Sequence, residues 1–116
     1  MGRPLRLAPG GYVYHLLNRA NGQTCIFQKD DDYAAFERIL EEAPGHVPGM
    51  RLPAYCLRPN HWHLLVWSRG DRDLSDFCHH LTLTHTQRWH AHHRNVGAGH
   101  LYQGRYKSFP ITLHLG

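Results

Sequence analysis

Alternating apolar and polar positions predict a β-strand near the start of the chain and an amphipathic helix after it. Residues 12–18 are rich in strand-forming side chains and follow the proline- and glycine-containing turn at 9–11. Three aspartates at 30–32 stand where a helix is expected to begin, because acidic groups favour capping and the first turn. Apolar residues then recur at helical spacing, at Tyr33, Phe36, Ile39 and Leu40. We expect this helix to end at Pro44 and Gly45.

The second half of the chain predicts a strand pair, a longer helix and a last strand. Residues 51–57 form a weaker strand with Pro53 suited to a sheet edge, and residues 61–67 follow after a tight connection, which favours an antiparallel hairpin. The next helix begins at Asp71 or Asp73. Its expected inward face comprises Leu74, Phe77, Cys78, Leu81, His85, Arg88, Trp89 and His92. Residues 100–109 predict the final strand.

The order strand, helix, strand, strand, helix, strand predicts an α+β fold of the ferredoxin-like βαββαβ type. Such a fold has a mostly antiparallel sheet with two helices on one face and the other face open. Because we find no repeats and no linker, we expect residues 1–116 to form a single domain. Trp62, Leu64 and Val66 would pack beneath the helices, which leaves His61 and His63 on the open face.

Composition narrows the class of protein without naming a function. The chain has 116 residues, 41% hydrophobic and 19% charged, and a net charge of +4, which is compatible with a polyanionic partner. The three cysteines lack CxxC spacing and read as reduced thiols, so we expect a cytoplasmic protein. No apolar run is long enough to span a membrane, and the basic N-terminus lacks the apolar core of a signal peptide.

The segment from Pro59 to Trp67 carries the most specific chemistry, because it places His61 and His63 two residues apart within a predicted strand. Side chains alternate faces along a strand, so both imidazoles project from one side. Neutral imidazole is the commonest protein metal ligand, so the pair forms half of a metal site. The alternative, for a chain with twelve histidines, is one histidine at a loop and one hydrogen-bonded at the sheet face.

Three longer segments extend this signal over nearly the whole chain. They are Tyr-His-Leu-Leu-Asn-Arg at 14–19, Tyr-Cys-Leu-Arg-Pro-Asn-His-Trp-His-Leu-Leu at 55–65, and Gly-His-Leu-Tyr-Gln-Gly-Arg-Tyr-Lys-Ser at 99–108. In this order and spacing they resemble the insertion-sequence-200-like transposases, and especially the REP-associated tyrosine transposases of bacteria. The resemblance covers roughly residues 10–110.

The resemblance implies a nuclease of the histidine-hydrophobe-histidine (HUH) class, with Trp62 as the hydrophobe. His61 and His63 would be the catalytic histidines that hold a divalent cation, Mg²⁺ or Mn²⁺, on the scissile phosphate of single-stranded or hairpin DNA. In that family a tyrosine attacks the phosphorus and forms a 5′-phosphotyrosine during DNA transposition. The candidate DNA-binding residues are Arg19, Asn60, Gln103, Arg105 and Lys107. Gln103, Arg105 and Lys107 would share one face of the last strand, and the alternative for them is an ordinary solvated edge strand.

The family's nucleophilic tyrosine, and the polar residue that completes its metal site, lie on a helix after the last strand. This chain stops at Gly116, and we interpret it as a C-terminally truncated member in which the nucleophile is not identified among six tyrosines. Its activity as an enzyme is therefore left open. The alternative function is a non-catalytic nucleic-acid-binding remnant. An uncovered sheet face, with Leu65 and Trp67 on it, would favour self-association, so a homodimer is a further expectation.

Histidines of the second predicted helix support another hypothesis, in which the chain binds a metal such as zinc there. It would depend on His79, His80, His90 and His93 more than on the strand histidines, with His90 and His93 spaced as an i, i+3 pair. A solvated helix face is the alternative reading of these four residues. His15, on a strand that should neighbour residues 61–67, is expected to approach the His61 and His63 pair.

Overall fold

The computed structural model describes residues 8–22, 24–93 and 99–111. In chain order its elements are β1 (Val13–Arg19), α1 (Asp30–His46), β2 (Arg51–Arg58), β3 (His61–Trp67), α2 (Asp73–His93) and β4 (Lys107–Pro110). The predicted succession of strands and helices is confirmed.

The strands form one four-stranded sheet in the order β2-β3-β1-β4, in which every neighbouring pair is antiparallel. This is the ferredoxin-like arrangement expected from the sequence, with α1 and α2 packed together over one face. β2 is an edge strand, and its register against β3 shifts between Arg51 and Ala54. Pro53 lies within that irregularity, where a residue without an N–H interrupts the ladder least.

Alternation along the two central strands separates the core from the open face. Tyr14 and Leu16 of β1 are buried, and Trp62, Leu64 and Val66 of β3 are fully buried. Helix side chains complete the core from the other side, including Phe36, Ile39, Leu74, Phe77 and Leu81. The remaining β1 and β3 side chains face away from the helices, as the two-residue period requires.

The prediction that α1 ends at Pro44 and Gly45 is wrong, because the helix continues to His46. Ala43 and Val47 are both buried at 4% exposure, one helical turn apart, so the apolar stripe continues past Pro44 to the C-cap residue Val47. The Val47 N–H still donates to the Ala43 carbonyl at 2.8 Å. Burial of this last turn thus outweighs the hydrogen bond that Pro44 cannot donate.

The last strand is present but much shorter than the prediction of 100–109, since β4 covers only Lys107–Pro110. The preceding residues form a loop whose backbone pairs at an isolated bridge between Ala20 and Tyr102. Leu101 and Tyr102 are successive and both buried, which alternation along a strand with one open face does not allow. We call residues 99–106 the connecting loop.

The inward face of α2 is narrower than its sequence pattern predicts. Leu74, Phe77, Cys78, Leu81, His85 and Trp89 are buried as expected. Arg88 and His92 are exposed instead. Arg88 forms an ion pair with Glu42 of α1, with Nη2 and Oε2 2.8 Å apart, so it joins the helices at their solvent edge.

The state of the cysteines and the length of the helices bear on disulfide bonding and on membrane insertion. Cys25, Cys56 and Cys78 form no disulfide. In the part of the chain that the structure describes, neither helix is long and apolar enough to cross a lipid bilayer.

Candidate metal and nucleic-acid site

His61 and His63 project from β3 onto the open face of the sheet, as their spacing predicts. Both are partly buried, and their ring centroids lie 5.2 Å apart with the ring planes nearly perpendicular. Imidazole nitrogens bind an ion from about 2 Å, so rings at this separation can share one ion. Among the described residues, no third His, Cys, Asp or Glu side chain converges with both as a ligand.

His61 is oriented by its chain neighbour. Its Nδ1 lies 2.8 Å from the side-chain oxygen of Asn60. Because an amide oxygen only accepts, Nδ1 carries the proton and donates it, which leaves Nε2 with its lone pair free. The turn that carries Asn60 is itself fixed, since the Ala20 N–H donates to the Asn60 carbonyl at 2.8 Å. Asn60 therefore presents His61 in the tautomer that a metal requires.

His63 is oriented by His15, for which the sequence predicted only an approach to the His61 and His63 pair. His15 Nε2 lies 2.9 Å from His63 Nδ1, and the two rings stack with centroids 5.2 Å apart. One of these nitrogens donates and the other accepts. When His63 Nδ1 is the donor, its Nε2 is left as a free lone pair beside that of His61.

Both candidate ligands are held in the neutral form. Burial lowers the pKa of His61, and the charges of Arg19 and Arg58 lower it further. The pKa of His63 is lowered by burial first and then by His15, His61 and Arg19. A metal ion competes with a proton for the imidazole lone pair, so a lowered pKa keeps the site available at neutral pH.

Basic side chains surround the His61 end of the open face. Arg19 and Arg58 are the direct partners of His61 on the two neighbouring strands, and Lys107 of β4 pairs with Leu17 next to them. All three are exposed. Arg58 was not among the sequence candidates, although the signal was present: in a hairpin with a two-residue turn, the residues on either side of the turn face each other.

The remaining sequence candidates lie elsewhere. Gln103 and Arg105 belong to the connecting loop, so the expectation that they share a strand face with Lys107 is wrong. They line a cavity of about 590 Å³ between that loop and α2. Gln103 still reaches the end of β1, where its N–H donates to the Arg19 carbonyl at 3.0 Å.

The middle of the open face is apolar. A groove of about 430 Å³ there is lined by His15, Cys56, His63, Leu65 and Phe109, among others. Phe109 is 51% exposed, and Trp67, further along β3, is 43% exposed. Flat apolar and aromatic groups of this kind suit the stacking of unpaired bases.

A buried hydrogen-bond chain supports β3 from the helix side. Trp62 Nε1–H donates to the Tyr102 hydroxyl at 2.8 Å, and that hydroxyl lies 2.5 Å from His85 Nδ1. Burial lowers the pKa of His85 to about 3, so its neutral Nδ1 accepts the tyrosine proton. Tyr102 is therefore buried on the helix side of the sheet, where it positions Trp62, the residue between the two strand histidines.

The α2 histidines go to different partners. His79 is exposed, His80 stacks on His46 with centroids 3.7 Å apart, and His90 lies 3.0 Å from the Gly99 carbonyl oxygen. His93 contacts Asp32 of α1. The i, i+3 pair of His90 and His93 is thus not brought together, and among the described residues the group that could hold a metal is Asp32, His92 and His93.

Comparison with known proteins defines the class. The family described as "Transposase IS200 like" matches residues 10–114. This chain belongs to the IS200-like transposase family. No curated protein matches the chain.

Two of the solved structures that match this chain illustrate the shared fold. One is a REP-associated tyrosine transposase bound to a REP hairpin, with 16% identity and a TM-score of 0.70 over 98% of this chain and 64% of that one. The other is a candidate transposase from Deinococcus radiodurans, with 18% identity and a TM-score of 0.71 over 96% of this chain and 87% of that one. This chain therefore spans less than two thirds of the REP-associated transposase.

Proposed function

We propose that this protein binds single-stranded or hairpin DNA across the open sheet face and acts in metal-dependent strand cleavage and rejoining during transposition. The observation that carries the proposal is the juxtaposition of two neutral imidazoles, His61 and His63, with the cations Arg19 and Arg58 on one exposed sheet surface. Membership of the transposase family supports it. The structure of a relative with a REP hairpin supports a hairpin as the form of DNA.

The donor set at His61 and His63 fits a divalent cation in part. Two oriented lone pairs are available, and an ion with only two imidazole ligands would rely on water and DNA phosphate oxygens for the rest of its shell, as Mg²⁺ and Mn²⁺ do. When bound, such an ion stabilises negative charge on the scissile phosphate. A 5′-phosphotyrosine intermediate is the part of the proposal that rests on the family alone.

The protein's own residues have separable roles in this proposal. Arg19, Arg58 and Lys107 neutralise backbone phosphates at the His61 end of the groove. Asn60 holds His61 in its ligand tautomer, and His15 does the same for His63 when it accepts the His63 Nδ1 proton. Phe109 and Trp67 offer surfaces on which unpaired bases stack.

The second candidate function is DNA binding without cleavage, and the placement of four of the six tyrosines favours it. Three hydroxyls are engaged elsewhere: Tyr14 donates to the Pro9 carbonyl, Tyr55 to Glu37, and Tyr102 to His85. Tyr12 lies before β1, at the end of the sheet opposite His61. These four tyrosines are thus poorly placed to attack a phosphate at His61 and His63.

A covalent-adduct assay tests the proposal and separates the two functions. The purified protein is incubated with end-labelled hairpin DNA and Mn²⁺, resolved on a denaturing gel, and compared in parallel on a native gel. An adduct that is lost in His61→Ala but kept in His79→Ala, an exposed histidine on α2, supports cleavage at the proposed site. A native-gel shift without adduct supports the binding function, and neither shift nor adduct overturns both.

A further inference from the structure

A second group of metal-binding side chains lies in the helix layer, on the face of the sheet opposite His61 and His63. Asp32 is in the first turn of α1, and His92 and His93 are in the last turn of α2. One potential ligand atom from each of the three lies within 4.8 Å of the others. The site would therefore join the beginning of one helix to the end of the other.

Asp32 is fixed in place before any ion arrives. Its Oδ2 accepts the backbone N–H groups of Gln28 at 2.8 Å and Lys29 at 3.1 Å, which caps α1. Its Oδ1 is left to face His93. Burial alone would raise the pKa of Asp32, but these two N–H groups and His93 hold it below its ordinary value, so the carboxylate is charged.

His93 is fixed as well. Its ring stacks on that of Trp89 with centroids 4.0 Å apart, and Trp89 Nε1–H donates to the Ile26 carbonyl at 3.0 Å. His93 Nε2 lies 3.1 Å from Asp32 Oδ1. Two ligands that bind one tetrahedral ion from about 2 Å each lie about 3.3 Å apart, so this pair is already close to ligand spacing.

His92 distinguishes a metal site from a simple ion pair. An ion pair of Asp32 and His93 needs no third member, yet the exposed His92 ring lies with its centroid 5.1 Å from that of His93. Two imidazoles and one carboxylate are the donor set of zinc sites that keep one open position, whereas Mg²⁺ prefers oxygen ligands.

We propose that Asp32, His92 and His93 form a Zn²⁺-type transition-metal site that clamps α1 to α2, with a fourth position open to water. It is independent of the DNA-binding face. Binding of an ion to the folded chain alone would raise its stability by mass action.

The test uses Co²⁺ as a spectroscopic substitute for Zn²⁺. The whole chain carries His61→Ala and His63→Ala, so that the strand histidines do not contribute, and is titrated with Co²⁺ while visible absorption is recorded. We expect saturation at one equivalent with the intense bands of tetrahedral cobalt. Adding His92→Ala or His93→Gln should abolish them, while His79→Ala, also exposed on α2, should not.

Stability provides a second readout, since Asp32→Asn would also disturb the cap of α1 and is not a clean variant. Zn²⁺ should raise Tm by several degrees in the chain that carries His61→Ala and His63→Ala, which we call the parent. This rise should be lost when His92→Ala, whose side chain is exposed, is added. Absence of tetrahedral bands in the parent, or their survival in both His92→Ala and His93→Gln, would overturn the proposal. DNA binding by His92→Ala, made without the strand-histidine substitutions, should equal that of the wild-type protein, whichever function the open face has.

Discussion

His15 Nε2 lies 2.9 Å from His63 Nδ1, so an imidazole on β1 is hydrogen-bonded to a candidate ligand on β3. The contact follows from the register, which pairs His63 with Leu17 and places His15 on the same open face two residues along. Such outer partners of metal-binding histidines typically change metal affinity when they are removed.

We therefore predict that His15→Ala weakens Mn²⁺ binding at the open face by about 10–100-fold. His15→Gln should recover much of the loss, because its amide oxygen can accept the His63 proton. The measurement is isothermal titration with Mn²⁺ in the presence of hairpin DNA. Val13→Ala serves as the packing control, since Val13 lies two residues before His15 on the same face of β1, farther from His61, and offers no ligand. Equal affinity in His15→Ala and wild type would contradict a positioning role.

Arg58 should contribute to DNA affinity as Arg19 does, because both flank His61 in the sheet. Each phosphate contact with single-stranded DNA contributes about 0.7 to the slope of log affinity against log salt. We predict that Arg58→Ala weakens binding and lowers the slope by about that amount. Arg38→Ala, which removes the same charge from an exposed position on α1, should leave the slope unchanged. Salt-dependent fluorescence anisotropy measures both, and identical slopes for the two variants would rule out the assignment of Arg58.

Much of the fold could be read from the sequence because its two central strands alternate cleanly. Trp62, Leu64 and Val66 point into the core and their neighbours do not, so the side of the sheet that carries His61 followed from local pattern alone. The ferredoxin-like topology then followed from the order of elements.

The connecting loop could not be read in that way. Leu101 and Tyr102 are apolar residues within a strand-like run, yet tertiary contacts bury both, and Tyr102 reaches Trp62 and His85 from distant parts of the chain. The metal-type group on the helices was missed for a similar reason. Asp32 reads locally as a helix cap, which it is, and its contact with His93 spans 61 residues.

Tyr102→Phe should destabilise the protein although it removes a single oxygen atom. The change leaves the Trp62 N–H and His85 Nδ1 without the hydroxyl that joins them in the core, and an unsatisfied buried polar group costs about 1–3 kcal/mol. Urea unfolding provides the measurement. Tyr55→Phe is the matched control, because its hydroxyl meets Glu37 at the exposed surface, and we expect a change of about 0.5 kcal/mol or less. If both variants lose the same small amount, the buried chain contributes no special stability.

Stability should also fall on acidification, with His85 as the main histidine responsible below pH 5. Burial lowers its pKa from 6.5 to about 3, so between these values the unfolded chain binds a proton that the folded chain does not. The free energy of unfolding therefore decreases as pH falls through this window, by about 1.4 kcal/mol per pH unit for one proton. His61, His63 and His80, whose pKa values are also lowered, act in the same direction as the pH falls below 6.5. In His85→Asn, the amide oxygen can replace Nδ1 as the acceptor for Tyr102. We expect the dependence of the unfolding free energy on pH between 4 and 5 to decrease by about 1.4 kcal/mol per pH unit, which corresponds to one proton. Denaturant titrations at several pH values measure this slope directly, and an unchanged slope would show that His85 does not titrate with unfolding.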